Sequence, residues 1–352
     1  MAALWSSFQN NSMAVCVFKY FLENVDDQEN KSIVEYALHT SEESLVRSEQ
    51  ILKDDQQSIP IGFKDEDVNP NAPRLYSDTF YLYYIKNMAK VGLSVYGVAL
   101  ATSAKSSVRE FLSKAVESST TLYNKTSDVL LSKGLFVRPP YVSTTNEIDF
   151  IDQKNYKGGL LTLNRRPVNV IEITHVYANI ETNLVGQVLL IGLSQVAKSK
   201  KVRQYCDKGK EIATKHVKLF STILTDDDIA VPMPSDLKVS NSEIAPFSDK
   251  LIMFHTSLLI QSSTSNYATA AAASLRTDIS TTYVRLATEV TSYANDGVNI
   301  MIDNSWLEEP PQTVNKKIHQ INKLRSQQKV ILKMVKCRTT TNSGGGLIPS
   351  PH

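Results

Sequence analysis

The chain has 352 residues, 42% of them hydrophobic and 21% charged, with 13 Gly and 13 Pro. That is enough for two ordinary domains and excludes a disordered or collagen-like chain. Lys+Arg and Asp+Glu number 38 and 36, a net charge of +2 that leaves no basic footprint for nucleic acid, and three Cys at 16, 206 and 337 fit neither a zinc site nor a disulfide framework.

In chain order, apolar residues recur at helical spacing over 3–25, 29–53, 77–103 and 106–133. On the fourth segment Val108, Phe111, Leu112, Ala115, Leu122 and Leu130 share one face. Ser77 stands where an N-cap belongs, and the next residue, Asp78, favours the helix dipole. Residues 138–168 read as a linker with Lys157-Gly158-Gly159 and Arg165-Arg166-Pro167, and only 160–163 has a weak strand pattern. Four more helical segments follow over 169–197, 199–224, 248–274 and 276–303. Residues 312–352 hold eight Lys and Arg and no acid; with the whole chain at +2, the first 311 residues carry −6. A basic helix over 314–335 is expected there, serving either as a contact for an acidic surface or as a solvated extension.

The second half repeats the first. Ser77 and Ser248, Tyr96 and Tyr267, and the double prolines at 139–140 and 310–311 are all 171 residues apart. A period that long makes each copy a bundle of its own rather than a solenoid unit. The pattern predicts an all-α fold: two tandem up-down four-helix bundles at 1–137 and 169–311, joined by 138–168 and followed by the tail at 312–352. The double prolines are expected to end the last helix of each copy.

No P-loop, Gly-x-Gly-x-x-Gly, nucleophile elbow or Cys-x-x-Cys is present. No run of 18 apolar residues predicts a transmembrane helix. The first residues lack the basic start of a secretory signal, which predicts a cytoplasmic protein.

Three sets of residues could carry chemistry. Glu172-Ile-Thr-His175 is a single Glu-x-x-His, half of what a dinuclear carboxylate bundle needs, and the first copy has none. If the third helix of the copy ran parallel to the first, His175, His216 and His255 would share one end of the second bundle, near Asp296 and Asn299. With Glu172 they are the candidate ligands for one Zn, Fe or Cu ion, against the alternative of separately hydrogen-bonded core imidazoles. In the first copy Thr40, Ser41, Ser44 and Ser48 stand where the second has Ile212, Ala213, His216 and Phe220. That polar stripe is either a ligand cavity, a docking face for the second copy, or the outer face of a rotated helix. Asn11 and Thr182 read as buried polar residues fixing register. Phe80, Tyr81, Tyr83 and Tyr84 point round so much of one helix that some must face out or meet the other bundle.

Leu122 to Pro139, with Lys133-Gly134, Phe136 and Pro139 after a long helix, resembles the closing motif of the spore coat protein F family. Residues 3–311 as a whole resemble an internally duplicated family of uncharacterised proteins from endospore-forming bacteria. The matching stretches include Leu4-Trp-Ser-Ser-Phe-Gln9, Ala72-Pro-Arg-Leu-Tyr-Ser-Asp78, Arg165-Arg-Pro167 and Pro246-Phe-Ser-Asp249. The resemblance implies ferritin-like bundles and a link to sporulation. Arg138 stands where the coat motif has a His, so no role of that His transfers, and the tail lies outside the resemblance. A structural or interaction protein is therefore expected, without catalytic activity or cofactor, in the mother cell, forespore or spore coat. Its partners would be copies of itself or spore coat proteins. The alternatives are a metal-binding second bundle and a small-ligand-binding bundle.

Overall fold

A computed structural model describes residues 1–142, 148–159, 165–231 and 233–313. The strand pattern at 160–163 and the helix expected over 314–335 lie outside the described residues. The described part is all-helical: α1 (Ala2–Asn24), α2 (Gln28–Asp54), α3 (Asp78–Ala101), α4 (Ser106–Ser132), α5 (Val170–Val196), α6 (Lys200–Thr225), α7 (Asp249–Ala273) and α8 (Thr277–Asp303). Ser77 and Ser248 cap α3 and α7 as expected, accepting from Phe80 N at 3.3 Å and Leu251 N at 3.1 Å. The stops of α4 and α8 differ from expectation. Both helices end before the prolines, in turns where Gly134 and its copy Ser305 take positive φ. Leu135 N and Trp306 N then reach back to the carbonyls of Leu130 and Met301. A left-handed C-terminal turn satisfies the last carbonyls, so proline is not needed as the breaker.

The helix directions also differ from the expected up-down order. Asp27 N at the α1–α2 turn donates to Asp78 at the start of α3 (2.8 Å), and Lys133 at the end of α4 bonds Asp27. At the other end Lys105, before α4, pairs with Asp55 after α2. So α3 starts where α1 ends, and the order is up-down-down-up. Residues 55–77 make this possible: a helix of 24–27 residues is about 36–41 Å long, and 23 extended residues reach about 75 Å. The second copy repeats the arrangement, with Lys198 N and Ser199 N donating to Asp249 at 3.0 and 2.8 Å.

The two crossover loops join the copies through a pseudo-two-fold axis. Val68 pairs with Phe247, and Tyr76 with Val239, in isolated antiparallel bridges. Adding 171 turns one pair into the other. The same exchange relates Asn69 N→Pro246 O to Ser240 N→Leu75 O, and Ser77 N→Lys238 O to Ser248 N→Asp67 O. Each loop also lays an aromatic ring on the first helix of the other copy. Tyr76 donates to Leu189 O at 2.8 Å and covers Gly192, where a Cβ would collide with its ring; Phe247 meets Tyr20 edge-on. Residues 1–308, both bundles together, are thus one compact unit.

This explains the four aromatics of α3. Phe80, Tyr81, Tyr83 and Tyr84 are all buried, because α3 has its own bundle on one side and the other copy on the opposite side. α5 is long and apolar enough to cross a membrane by length and composition, and 61% of that stretch is buried among the other helices.

Candidate functional site

The candidate metal ligands fall into separate bonding sets. Glu172 is buried and takes four hydrogen bonds: Arg166 Nη1 and Nη2 (both 2.8 Å), Asn169 N (3.0 Å) and Arg276 N (2.9 Å). Burial pushes its carboxyl up, but Arg166 and the two backbone N–H groups outweigh this and hold it below the usual range. His175 is half-buried, one turn later. His216 Nδ1 meets Tyr267 Oη at 2.8 Å and its Nε2 lies 3.4 Å from Glu289. His255 Nε2 meets Tyr84 Oη at 2.8 Å. The reversed direction of α7 is the physical reason for the scatter. His255, early in α7, lies at the opposite end of the bundle from His175. Among the described residues no group of three or more His, Cys, Asp or Glu is placed to hold a metal ion.

The polar stripe on α2 does converge on something. Thr40, Ser41 and Ser44 line a cavity of about 330 Å³ between α1, α2, α3 and α4, closed on one side by α7 of the second copy. Asn11, expected as a buried register residue, is at its wall. Its amide donates to Ser7 O (2.8 Å) and to Tyr96 Oη (3.1 Å). Ser41 and Ser119 donate back to carbonyls one turn earlier, which leaves their lone pairs free.

The equivalent space in the second bundle is only about 50 Å³. The residues account for the difference. Where the first wall has Thr40, Ser44, Ala89, Ser119 and Leu122, the second copy has Ile212, His216, Ile260, Val290 and Tyr293. His216 and Tyr267 further lock to Asn183, which donates to Tyr267 Oη at 2.9 Å. Tyr293 stacks on Tyr205 at 4.2 Å, each ring sitting where a Cβ on Gly209 or Gly297 would collide with it. One copy is filled and the other hollow at the same place in the fold.

Two features of the cavity escaped the sequence reading. His255, paired with its own counterpart in the first copy, Tyr84, lies near the pseudo-two-fold axis, buried at the cavity wall, with Nδ1 unpartnered. Burial pulls its imidazole down to about 4, so it is neutral at physiological pH. Lys90 also reaches the wall and shares Glu181 with Lys86, at 3.2 and 2.7 Å. Lys86 and Glu181 are 2% and 5% exposed. Lys86 follows the apolar and aromatic run Phe80–Ile85, and Glu181 is the one charged residue of α5 besides Glu172; those are the signals that could have found them.

A family model described as protein of unknown function (DUF3231) matches residues 1–148 and again 158–318. The two matches coincide with the two copies. No curated protein matches the chain. A crystal structure of a candidate spore coat protein from Bacillus halodurans is similar over 43% of this chain and 98% of its own, at 13% identity and a TM-score of 0.39. At that score the likeness carries no argument.

Proposed function

Because the chain belongs to the DUF3231 family of proteins of unknown function in both of its halves, we propose its function from the cavity: the first bundle is a receptor for a small, partly apolar molecule, and the second is the packed scaffold that closes it. The observation that carries this is the contrast of about 330 Å³ against about 50 Å³ at equivalent positions. Ligand pockets start at about 300 Å³ and combine an apolar lining with a few polar groups. Hydroxyls and amides on an apolar wall fit that description. A hollow of this size without an occupant forfeits packing contacts.

The test copies the second bundle into the first. Ala89→Ile with Ser119→Val fills the wall from two helices. Native mass spectrometry of the purified chain is expected to show a small-molecule adduct, or a thermal shift with 1-octanol as probe. The double variant is expected to lose the adduct and to weaken 1-octanol by about tenfold or more while staying folded. Binding unchanged in the filled variant sinks the reading.

The setting we infer is the sporulating cell. It rests on the resemblance of residues 122–139 to the closing motif of spore coat protein F. A fluorescent fusion is expected to concentrate at the forespore or coat; an even distribution through sporulation would remove this part while leaving the receptor.

A further inference from the structure

We propose, resting on the cavity reading above, that the ligand is a neutral nitrogen heterocycle of the azole type. Its ring takes the place in the first copy that the imidazole of His216 fills in the second, with one ring nitrogen accepting from the Tyr96 hydroxyl.

The two copies share an anchor and differ in what lies against it. In the second, Asn183 Nδ2 donates to Asn179 O at 2.7 Å and to Tyr267 Oη at 2.9 Å. In the first, Asn11 Nδ2 donates to Ser7 O at 2.8 Å and to Tyr96 Oη at 3.1 Å, so amide and tyrosine keep the same geometry. His216 continues the second network, with Nδ1 2.8 Å from Tyr267 Oη and Nε2 3.4 Å from Glu289. Burial keeps this imidazole neutral, and Glu289 is ionised beside Lys215. A carboxylate only accepts, so the ring proton sits on Nε2 and Nδ1 accepts from the tyrosine. At the positions of His216 and Glu289 the first copy has Ser44 and Ser118. The ring and the carboxylate are gone, and the tyrosine that the ring bonds is still there.

The groups left open all line the cavity: Asn11, Tyr96, Ser44 and Ser118. Tyr96 is half-buried where Tyr267 is fully buried. Among the described residues the Tyr96 hydroxyl meets only a donor, Asn11 Nδ2, so its own proton has no protein acceptor. Asn11 Oδ1 and the hydroxyls of Ser44 and Ser118 have no protein partner among the described residues either, and none of the three is a buried orphan atom. Each therefore has open space in front of it. An azole matches this set. One ring nitrogen accepts from Tyr96, and the N–H across the ring donates to a serine hydroxyl, as His216 donates to Glu289. The wall selects a neutral ring: among the described residues no Asp or Glu lines the cavity and Lys90 is its one Lys or Arg, so a cationic ring finds no counter-charge there. The hollow is larger than one such ring, and Phe18, Leu122 and Leu258 on its wall receive an apolar substituent.

The experiment uses the full chain at about pH 8, where a free imidazole is neutral. Three probes are titrated by calorimetry: 4-phenylimidazole, its nitrogen-free counterpart 2-phenylthiophene, and 1-octanol. 4-Phenylimidazole is expected to bind about tenfold or more tighter than 2-phenylthiophene. Tyr96→Phe is expected to bring the two close to parity. Asn11 keeps Ser7 O and Ser7 Oγ as acceptors in that variant, so no buried donor is stranded. Ser44→His puts the second copy's imidazole back on α2 and is expected to weaken 4-phenylimidazole by about tenfold or more. Should Tyr96→Phe not fold, Ser44→His alone decides. No preference for 4-phenylimidazole over 2-phenylthiophene, a preference that survives Tyr96→Phe, undiminished binding in Ser44→His, or binding of 1-octanol alone overturns the azole assignment and leaves the cavity reading standing. Binding of none of the three, or binding retained in Ala89→Ile/Ser119→Val, overturns the cavity reading and this proposal with it.

Discussion

Glu181→Ala is expected to cost the fold about 3–5 kcal/mol, because it leaves the Lys86 ammonium buried without its partner. The expectation rests on geometry. Lys86 Nζ lies 2.7 Å from Glu181, 4.1 Å from the Phe136 ring centroid and 5.5 Å from that of Tyr83. Ring faces attract a cation but do not replace a carboxylate. Lys90→Met is expected to cost about 1 kcal/mol or less, since Lys90 is 29% exposed and water screens what it loses. Replacing both members of the buried pair, Lys86→Met with Glu181→Leu, is expected to recover most of the loss, since no charge is then stranded. Urea unfolding followed by circular dichroism measures all three. A small effect of Glu181→Ala, with no recovery in the double variant, would show that the pair is not buried as described.

The same pair sets part of the response to acid. Burial pushes the Glu181 carboxyl up, but Lys90 and Lys86 more than offset this, so it titrates below its ordinary value in the folded chain. A carboxyl depressed on folding contributes stability that is fully present above the unfolded value, about 4.3. That contribution is lost as pH falls through the folded value, because the unfolded chain takes up the proton first. Glu172 acts with the same sign. Stability is therefore expected to be flat in these two groups near neutrality and to decline below the ordinary carboxylate range, less steeply in Glu181→Gln.

What the sequence disclosed and what it hid divide on physical lines. Helix positions were legible because apolar spacing, Ser77 and Ser248 are local signals. The duplication was legible because positions 171 apart could be compared directly. Helix direction was not: nothing within α2 or α3 states whether residues 55–77 turn back at once or run the length of the bundle. That one ambiguity moved His255 from one end of its bundle to the other, and the supposed imidazole cluster depended on it. The α2 stripe shows the opposite case. Thr40, Ser41 and Ser44 announced a polar inner face, but whether it enclosed space depended on what α1, α3 and α4 put opposite. Ala89, Ser119 and Leu122 are ordinary core residues by themselves and define a hollow only against Ile260, Val290 and Tyr293 in the other copy.

Glu172→Ala is expected to be the other costly substitution, again by about 3–5 kcal/mol, and it separates two readings of one motif. As half of a Glu-x-x-His ligand pair, Glu172 and His175 would act together. As the structure places it, Glu172 is the third residue of a capping box opened by Asn169, whose side chain accepts from Ile171 N and Glu172 N. Its carboxylate also ties Arg166 of the linker and the N-terminus of α8, at Arg276 N, to the start of α5. Removing it leaves two backbone N–H groups without an acceptor and takes the carboxylate from the Arg166 guanidinium, which keeps the carbonyls of Tyr156 and Pro167. Gln is no rescue, because its amide nitrogen would face a donor of Arg166. His175, half-buried and outside this network, is expected to tolerate Ala at a cost of about 1 kcal/mol or less. Elemental analysis beside urea unfolding reads both possibilities. A large loss for Glu172→Ala with little for His175→Ala marks a structural knot. A stoichiometric transition metal released by either substitution would instead restore the ligand pair.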